Sequence, residues 1–210
     1  MILVNQWFYF ISAIDPKICR KIKALRKNDL RPALVNKRTT ISEEERTSGR
    51  IIELGLDNEI RRSDISWANE QWVFDLIWPY MSQANNEAGW NFDISSAESP
   101  QIARYKKGGF YDWHSDGGAD CLSTYNKPDN KFLDGNARKL SMSILLNDNF
   151  SGGEFQFCTY KEEEPHISTS AFKGIGSIIV FPSFIEHRVT PVTKGTRHSL
   201  VAWFVGPPFK

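Results

Sequence analysis

The chain has 210 residues, which is enough for one domain with a substantial hydrophobic core. Its 26 Lys and Arg residues nearly balance its 25 Asp and Glu residues, and the resulting net charge of +1 argues against a nucleic-acid partner. Three widely spaced cysteines, Cys19, Cys121 and Cys158, form no Cys-x-x-Cys pair, which argues against a zinc knuckle or a disulfide framework.

The N-terminal segment predicts a strand followed by a helix. Residues 7–14 (WFYFISAI) are aromatic and β-branched, as in a buried strand. Asp15 followed by Pro16 is typical of a helix start, and apolar residues at helical spacing extend the helix to about Lys27. This apolar N-terminus lacks a basic region and a cleavage site, and it ends too early to span a membrane. We therefore expect no membrane partner and a cytoplasmic location.

The strongest helical pattern runs from about residue 66 to residue 88. Its large side chains fall near one face, which predicts packing against a sheet: Trp67, Gln71, Phe74, Ile77 and Trp78. Pro79 is expected to kink or restart this helix. The polar segment 37–50 has no stable period and is predicted to be a loop.

After Pro100 the chain changes to short strand-like runs separated by turn residues. Five such segments follow: 101–114, 138–148, 152–158, 176–182 and 198–206. This pattern predicts a mainly β fold with α, a double-stranded β-helix (jelly roll) with the N-terminal helices packed on one face. We predict a single domain over residues 1–210, with residues 1–99 supporting a jelly-roll core at 100–206. Residues 117–137 form a long loop that we expect to be a mobile lid.

The predicted strands give a geometric role to one histidine that lies two residues before an aspartate. On a strand, His114 and Asp116 point to the same side. Two histidines and one carboxylate, with open positions left over, suit non-haem Fe(II). A third ligand must come from another strand, and the candidates are His166, His187 and His198. We favour His187, which follows a buried strand and a short turn.

An arginine ten residues after His187 is the candidate anchor for a dicarboxylate cosubstrate. Arg197 follows the predicted hairpin 188–196, which would place it on the strand next to His187. By alternation it shares a face with Ser199 and Val201. A buried arginine without an anion is costly, so we expect either a bound carboxylate or an Asp or Glu partner.

These residues match a known pattern. Residues 103–116 (ARYKKGGFYDWHSD) resemble the Arg-Tyr…Gly…Tyr-x-x-His-x-Asp segment of Fe(II)/2-oxoglutarate-dependent dioxygenases of the prolyl 4-hydroxylase type, including bacterial, phage and PKHD-type members. Residues 140–157 resemble the family's strand–turn–strand with Gly-Gly-Glu, and 176–204 its C-terminal hairpin. The resemblance covers about residues 100–206. It implies an enzyme that hydroxylates an unactivated C–H bond and converts 2-oxoglutarate to succinate and CO₂.

The resemblance also implies roles for individual residues. His114, Asp116 and His187 would ligate Fe(II), and Arg197 would pair with the distal carboxylate of 2-oxoglutarate. Tyr105 corresponds to the family's tyrosine that hydrogen-bonds this cosubstrate. The cofactors implied are Fe(II), 2-oxoglutarate and O₂, with ascorbate as a candidate reductant. Many animal and plant prolyl hydroxylases have lysine at the anchor, whereas this chain has arginine, as PKHD-type members do.

The substrate is less well defined. Residues 61–67 (RRSDISW) are similar to the family's Arg-x-Ser segment near the substrate groove, which gives Arg62, Ser63 and Trp67 as candidate substrate residues. Peptidyl proline is the favoured substrate. Another protein side chain or a small metabolite is the alternative, and a non-catalytic jelly-roll binding module or a cupin-like metal enzyme is a further one. The oligomeric state is open.

Overall fold

A computed structural model of the chain describes residues 5–36, 54–116, 124–161, 164–169 and 172–209. Within these ranges the protein is mainly β, with two helices and seventeen short strands. The helices are α1 (Pro16–Leu25) and α2 (Gln71–Glu87). The strands are β1 (Phe8–Phe10), β2 (Arg31–Pro32), β3 (Val35–Asn36), β4 (Leu54–Gly55), β5 (Arg61–Arg62), β6 (Asp64–Trp67), β7 (Ser96–Ala97), β8 (Gln101–Tyr105), β9 (Phe110–His114), β10 (Ala137–Leu145), β11 (Phe150–Gly152), β12 (Phe155–Lys161), β13 (Glu164–Thr169), β14 (Ile178–Pro182), β15 (Glu186–Val189), β16 (Val192–Gly195) and β17 (Arg197–Gly206).

The strands form two main antiparallel sheets. The larger sheet has eight strands in the order β1-β14-β10-β17-β8-β6-β2, with β7 also paired to β17. The smaller has five in the order β13-β12-β15-β9-β5. Two further pairs, β11 with β16 and β3 with β4, complete the described strands. Neighbours that are distant in sequence are consistent with a jelly roll.

Alternation along the strands of the larger sheet gives it two apolar faces. In β14, Ile178 and Val180 belong to a cluster that also contains buried residues of α1 and α2. Ile179 and Phe181 belong to a second cluster, shared with Phe157 of the smaller sheet. Successive side chains on a strand point to opposite faces, so β14 contributes to both cores. The second cluster lies between the sheets, and the candidate site lies beside it.

The first helix agrees closely with its prediction. Asp15 accepts a hydrogen bond from the backbone N–H of Lys17 at 2.6 Å, and Pro16 occupies the first turn. Cys19 and Ile22 are fully buried on its inner face. The helix ends at Leu25, two residues before the predicted end.

The predicted start of the second helix was wrong, and of the residues predicted for its inner face only Ile77 is fully buried. Residues 64–67 form β6, which pairs with β8, so α2 begins only at Gln71. The tertiary pairing at the sheet edge therefore overrides local helical spacing. The buried stripe is Val73, Ile77, Met81 and Ala84. Trp67 and Trp78 are 43% and 37% exposed and lie outside it.

Pro79 neither ends nor restarts α2, which continues through it. The ring leaves the carbonyl of Asp75 without its helical partner, and both residues lie on the exposed side where water can reach that carbonyl. The segment around His166 forms β13. In the part of the chain that is described, neither helix is long and apolar enough to cross a membrane. Some predictions concern residues that the structure does not describe. They are the predicted loop at 37–50 and residues 117–123 of the expected lid, which include Cys121.

Candidate metal centre

Three side chains from two adjacent strands meet between the sheets. His114 ends β9 and lies directly opposite His187 on β15, and Asp116 follows two residues after His114. One ligand atom from each residue lies within 4.8 Å of the others. The Nε2 atoms of His114 and His187 lie 3.8 Å and 3.7 Å from the two carboxylate oxygens of Asp116. This set could hold one divalent ion.

Hydrogen bonds on the far side of each imidazole fix its orientation. Nδ1 of His114 lies 2.7 Å from the carbonyl of Asp112, and Nδ1 of His187 lies 2.9 Å from that of Ile185. A carbonyl can only accept, so each Nδ1 carries the proton and donates it. Each Nε2 is then left with a lone pair that faces the carboxylate, as metal ligation requires.

The protonation states also suit a metal. Burial, with the neighbouring His187, lowers the pKa of His114 to about 3, so this ring is neutral at neutral pH. Burial alone would raise the pKa of Asp116, but the imidazoles of His187 and His114 and the Arg138 guanidinium hold it below its ordinary value. A neutral imidazole and an ionised carboxylate are the forms that bind a cation.

The cavity beside this triad contains an unsatisfied buried cation. Arg197 is 1% exposed and lines the same cavity as His114, Asp116 and His187. Its Nη1 donates to Ser199 Oγ at 3.0 Å, whereas Nε and Nη2 have no hydrogen-bond partner among the described residues. Burial lowers the pKa of Arg197, because the charged guanidinium is removed from water. Of the two expected outcomes, a bound carboxylate fits these free donors.

The position of Arg197 corrects one prediction about topology. Arg197 does not lie on a strand adjacent to His187, because β17 belongs to the larger sheet and β15 to the smaller. Between them the chain forms β16, which pairs with β11, and so passes from one sheet to the other. The arginine therefore faces the metal triad across the space between the sheets. Its face was predicted correctly, since Ser199 and Val201 line the same cavity.

Two further residues border this arginine. Tyr105 lies opposite Arg197 in register on β8, is 3% exposed, and has its ring centroid 5.4 Å from the guanidinium carbon. On the other side, a Cβ added to Gly153 would lie 3.0 Å from Cδ of Arg197, and the φ of this glycine is +63°. Glycine is thus required there both for the backbone and for the space the arginine occupies.

Tyr111 is a cavity residue that strict alternation missed. On a regular strand it would point away from His114, so alternation alone assigns it no role in the site. In β9, Tyr111 and His114 pair with Val189 and His187, so four residues of β9 lie opposite three of β15. This bulge turns Tyr111 inward, where its ring stacks on His114 at 3.5 Å between centroids. Burial raises the pKa of Tyr111 to about 12.

The outward neighbours of the ligands behave as alternation predicts. Trp113 and Arg188 lie on the far side of the smaller sheet, with the guanidinium 4.5 Å from the ring centroid. Arg188 also donates to Gln156 Oε1 at 2.8 Å. The other two histidines lie away from the triad, His166 exposed on β13 and His198 half-buried on β17.

Of the two adjacent arginines in the candidate substrate segment, the structure brings Arg61 to the cavity. Arg61 donates to Ser63 Oγ at 2.7 Å and to Gln101 Oε1 at 2.9 Å, and it lies 4.4 Å from the Tyr111 ring centroid. Arg62 points to the other side of β5, is exposed, and donates to the carbonyl of Asn58 at 3.1 Å. The sequence analysis named Arg62 as the candidate, whereas the arginine that lines the cavity is Arg61.

Ser63 and Trp67 occupy supporting and outer positions. Ser63 contacts the cavity through its hydrogen bond to Arg61. Trp67 lies further out, 6.2 Å from the Trp203 ring, on a groove that continues from the cavity mouth. The groove and the cavity share Arg61, Tyr111 and Trp203.

A half-buried ion pair holds the backbone at Asp116. Arg138 donates to both carboxylate oxygens of Glu98, at 2.5 and 2.8 Å, and to the backbone carbonyl of Asp116 at 2.9 Å. Tyr125 donates to Glu98 at 2.6 Å, and the guanidinium lies 4.3 Å from the Trp203 ring centroid. This network holds the backbone at Asp116, just after β9 ends.

Replacing Arg138 by Met is expected to weaken metal binding by about ten- to a hundredfold, because residues that orient ligands have effects of this size. Glu98→Gln should give a smaller loss, since the amide keeps the shape but not the charge. Anaerobic calorimetric titration with Fe(II) or Co(II) measures both. Arg104→Met is the matched control, because Arg104 forms an ion pair with Asp64, with 2.8 Å between the two side chains, and neither residue belongs to the triad. Unchanged affinity in Arg138→Met would contradict the role.

The fold and site together define a class of protein. Two histidines and one carboxylate lie together between antiparallel sheets, and a buried arginine with free donors among the described residues lines the same cavity. This is the arrangement of a non-haem metal centre that binds an acidic ligand. Residues 100–205 match the model of the 2OG-Fe(II) oxygenase superfamily. The chain belongs to this superfamily, which uses Fe(II), 2-oxoglutarate and O₂.

Curated relatives are PKHD-type hydroxylases. One from Idiomarina loihiensis is 34% identical over 102 residues, covering 49% of this chain and 39% of the relative. One from Alteromonas mediterranea is 33% identical over 106 residues, covering 50% of this chain and 42% of the relative. The chain thus spans about two fifths of the length of the curated relatives it matches.

Solved structures with the same fold include prolyl hydroxylases. A prolyl-4-hydroxylase from Pseudomonas putida has a TM-score of 0.60 and 20% identity, covering 96% of this chain and 92% of its own. A prolyl hydroxylase from Trichoplax adhaerens, in complex with a hypoxia inducible factor oxygen degradation domain peptide fragment, has a TM-score of 0.65 and 16% identity, covering 96% and 84%. At these identities the likeness establishes the fold alone.

Proposed function

We propose that this chain is an Fe(II)- and 2-oxoglutarate-dependent hydroxylase, and that its substrate is a peptidyl proline. The observation that carries the proposal is the buried Arg197, which lines the cavity of the metal triad and whose Nε and Nη2 atoms have no hydrogen-bond partner among the described residues. Superfamily membership and the PKHD-type relatives support the activity.

The residues divide the work as follows. His114, Asp116 and His187 would hold Fe(II), and the hydrogen bonds at each Nδ1 keep the rings oriented toward it. Arg197, with Tyr105 against it, would bind the distal carboxylate of 2-oxoglutarate. When bound, the iron supplies the oxidising chemistry that couples decarboxylation of 2-oxoglutarate to hydroxylation of a C–H bond. Phe155, Phe181 and the stacked Tyr111 keep water away from the centre.

A polypeptide substrate is supported by the shape of the site. The cavity continues into an open groove between β6, the 124–138 segment and the start of β2, so a chain can pass across the mouth. Arg61 stands where the groove meets the cavity and could bind a backbone carbonyl there. Arg62, Ser63 and Trp67 stay as predictions for substrate contact, and of these Trp67 lies on the groove. Ascorbate as reductant, the single domain and the cytoplasmic location also stay predictions.

A turnover screen tests the proposal. Purified protein with Fe(II), 2-oxoglutarate and O₂ should form succinate with a panel of proline-containing peptides, and each equivalent of succinate should match one oxygen atom added to peptide by mass spectrometry. Succinate formed only with other side chains or with small metabolites would replace the proline assignment. Failure to bind 2-oxoglutarate in the presence of metal would exclude the enzyme class itself.

A further inference from the structure

The groove that continues from the cavity mouth is called the active-site groove here. Beside it lies a second groove lined by exposed aromatic rings. Trp67, Trp78 and Phe132 are 43%, 37% and 62% exposed and line it together. Large exposed aromatic side chains that gather in one groove usually mark a binding surface. This aromatic groove is formed by α2, β7 and the turn that contains Phe132.

The rings of Trp67 and Trp78 each pack against another ring, and Phe132 is held through its backbone, while much of the surface of all three rings stays exposed. Trp67 packs against Trp203 at 6.2 Å between centroids, and Trp78 meets the fully buried Phe204 edge-on at 6.0 Å. The backbone carbonyl of Phe132 accepts hydrogen bonds from Ser96 Oγ at 2.7 Å and from Asn136 Nδ2 at 3.1 Å. The groove is therefore preformed, and a ligand need not order it.

The aromatic groove is continuous with the active-site groove. The two share Trp67 and Glu98, and the active-site groove in turn shares Trp203 with the metal cavity. A path therefore runs from the cavity over Trp203 and Trp67 to Trp78. An extended chain with one residue in the cavity would place a neighbouring segment on these rings.

The charge of the aromatic groove limits what it can bind. Apart from Glu98, its described lining is apolar or carries uncharged amide and hydroxyl groups. Glu98 already pairs with the Arg138 guanidinium and accepts a hydrogen bond from the hydroxyl of Tyr125. An uncharged segment is thus favoured, and aromatic grooves bind extended proline-containing chains well because these lose little entropy on binding.

We propose that the aromatic groove is a docking site for an uncharged, proline-containing segment of the polypeptide substrate that flanks the hydroxylated residue. This rests on the proposed function in naming the substrate, and it adds a recognition element outside the catalytic cavity. Trp78 and Phe132 are the residues that specify it, since neither lines the cavity or the active-site groove among the residues described.

The test uses three peptides with the full-length, metal-loaded protein. A blocked Ala-Pro-Ala tripeptide fills only the cavity, a long peptide of alternating alanine and proline also reaches the aromatic groove, and a third has the same length with glutamate in its flanks. We expect the long neutral peptide to have the highest kcat/KM. Trp78→Ala and Phe132→Ala should each lower kcat/KM for that peptide by about tenfold, because aromatic side chains that become buried in an interface contribute this much to binding. Both variants should leave kcat/KM for the tripeptide unchanged.

Direct binding separates this inference from the catalytic proposal. Fluorescence anisotropy of the labelled long peptide should show weaker binding to Trp78→Ala even if no peptide is hydroxylated. Ile167→Ala is the matched control, because Ile167 is 53% exposed on β13 and lies outside this groove. Equal binding by wild type and both groove variants, or equal binding of the neutral and the glutamate-flanked peptides, would overturn the docking site. An equal loss on the long peptide and the tripeptide would also overturn it.

Discussion

Replacement of Asp116 by Asn is expected to reduce Fe(II) affinity and turnover by on the order of a thousandfold, because it removes the one anionic ligand of the centre. Asn keeps the size of the side chain and can still accept a hydrogen bond, so the fold should persist. His187→Ala should have a similar effect on metal binding. It also leaves a void against Phe155 and Phe181, so its melting temperature should fall as well.

The measurement is anaerobic metal titration followed by succinate formation under identical conditions. Circular dichroism and thermal melting of the metal-free proteins report folding independently. His166→Ala is the control, since His166 is exposed on β13, two strands away from β15 in the same sheet, and is not part of the triad. Tight Fe(II) binding by Asp116→Asn would contradict the assignment of the ligand set.

Replacement of Arg197 by Met is expected to weaken 2-oxoglutarate binding by about ten- to a hundredfold while leaving metal affinity intact. The physical reason is the loss of a charge-assisted pair with the distal carboxylate. The same substitution should stabilise the ligand-free protein by about 1 kcal/mol or more, because it replaces a buried cation that has no acidic partner among the described residues with an apolar chain of similar length. A residue with a purely structural role would show the opposite change in stability.

Thermal melting with and without cosubstrate distinguishes these outcomes. At a concentration a hundred times its wild-type Kd, 2-oxoglutarate should stabilise the metal-loaded wild type by about 2.7 kcal/mol, and the same concentration should stabilise Arg197→Met by only about 0.4–1.4 kcal/mol. Arg188→Met is the matched control, because Arg188 lies beside His187 on β15 but faces Trp113 on the outer side. If Arg197→Met is destabilised without ligand and still gains fully from 2-oxoglutarate, the anchor lies elsewhere.

Local patterns in the sequence were enough for the main elements. The Asp15–Pro16 start of α1 rests on two adjacent residues, and the structure has it there. The alternating runs after Pro100 predicted the main strands of the two sheets, because burial on one side imposes a period of two. The same alternation correctly placed Ser199 and Val201 beside Arg197. These features depend on neighbours along the chain, so the sequence alone determined them.

Other features depend on contacts between distant segments. Residues 64–67 form a strand because β8 offers a pairing edge, although their spacing favours a helix. Tyr111 turns inward because β9 contains a bulge against β15, which no local pattern announces. Arg61 rather than Arg62 faces the cavity because of how β5 pairs with β9.

The relation between the metal triad and the arginine is the clearest case. Sequence spacing pointed to His114, Asp116, His187 and Arg197 as partners, since the ligand types and their order fit one chemistry. It could not show that His187 and Arg197 lie on opposing sheets, because the path of β16 is set by its pairing with β11. Residue identity thus determined which groups take part, and the pairing of distant strands decided that they face one another across a buried cavity.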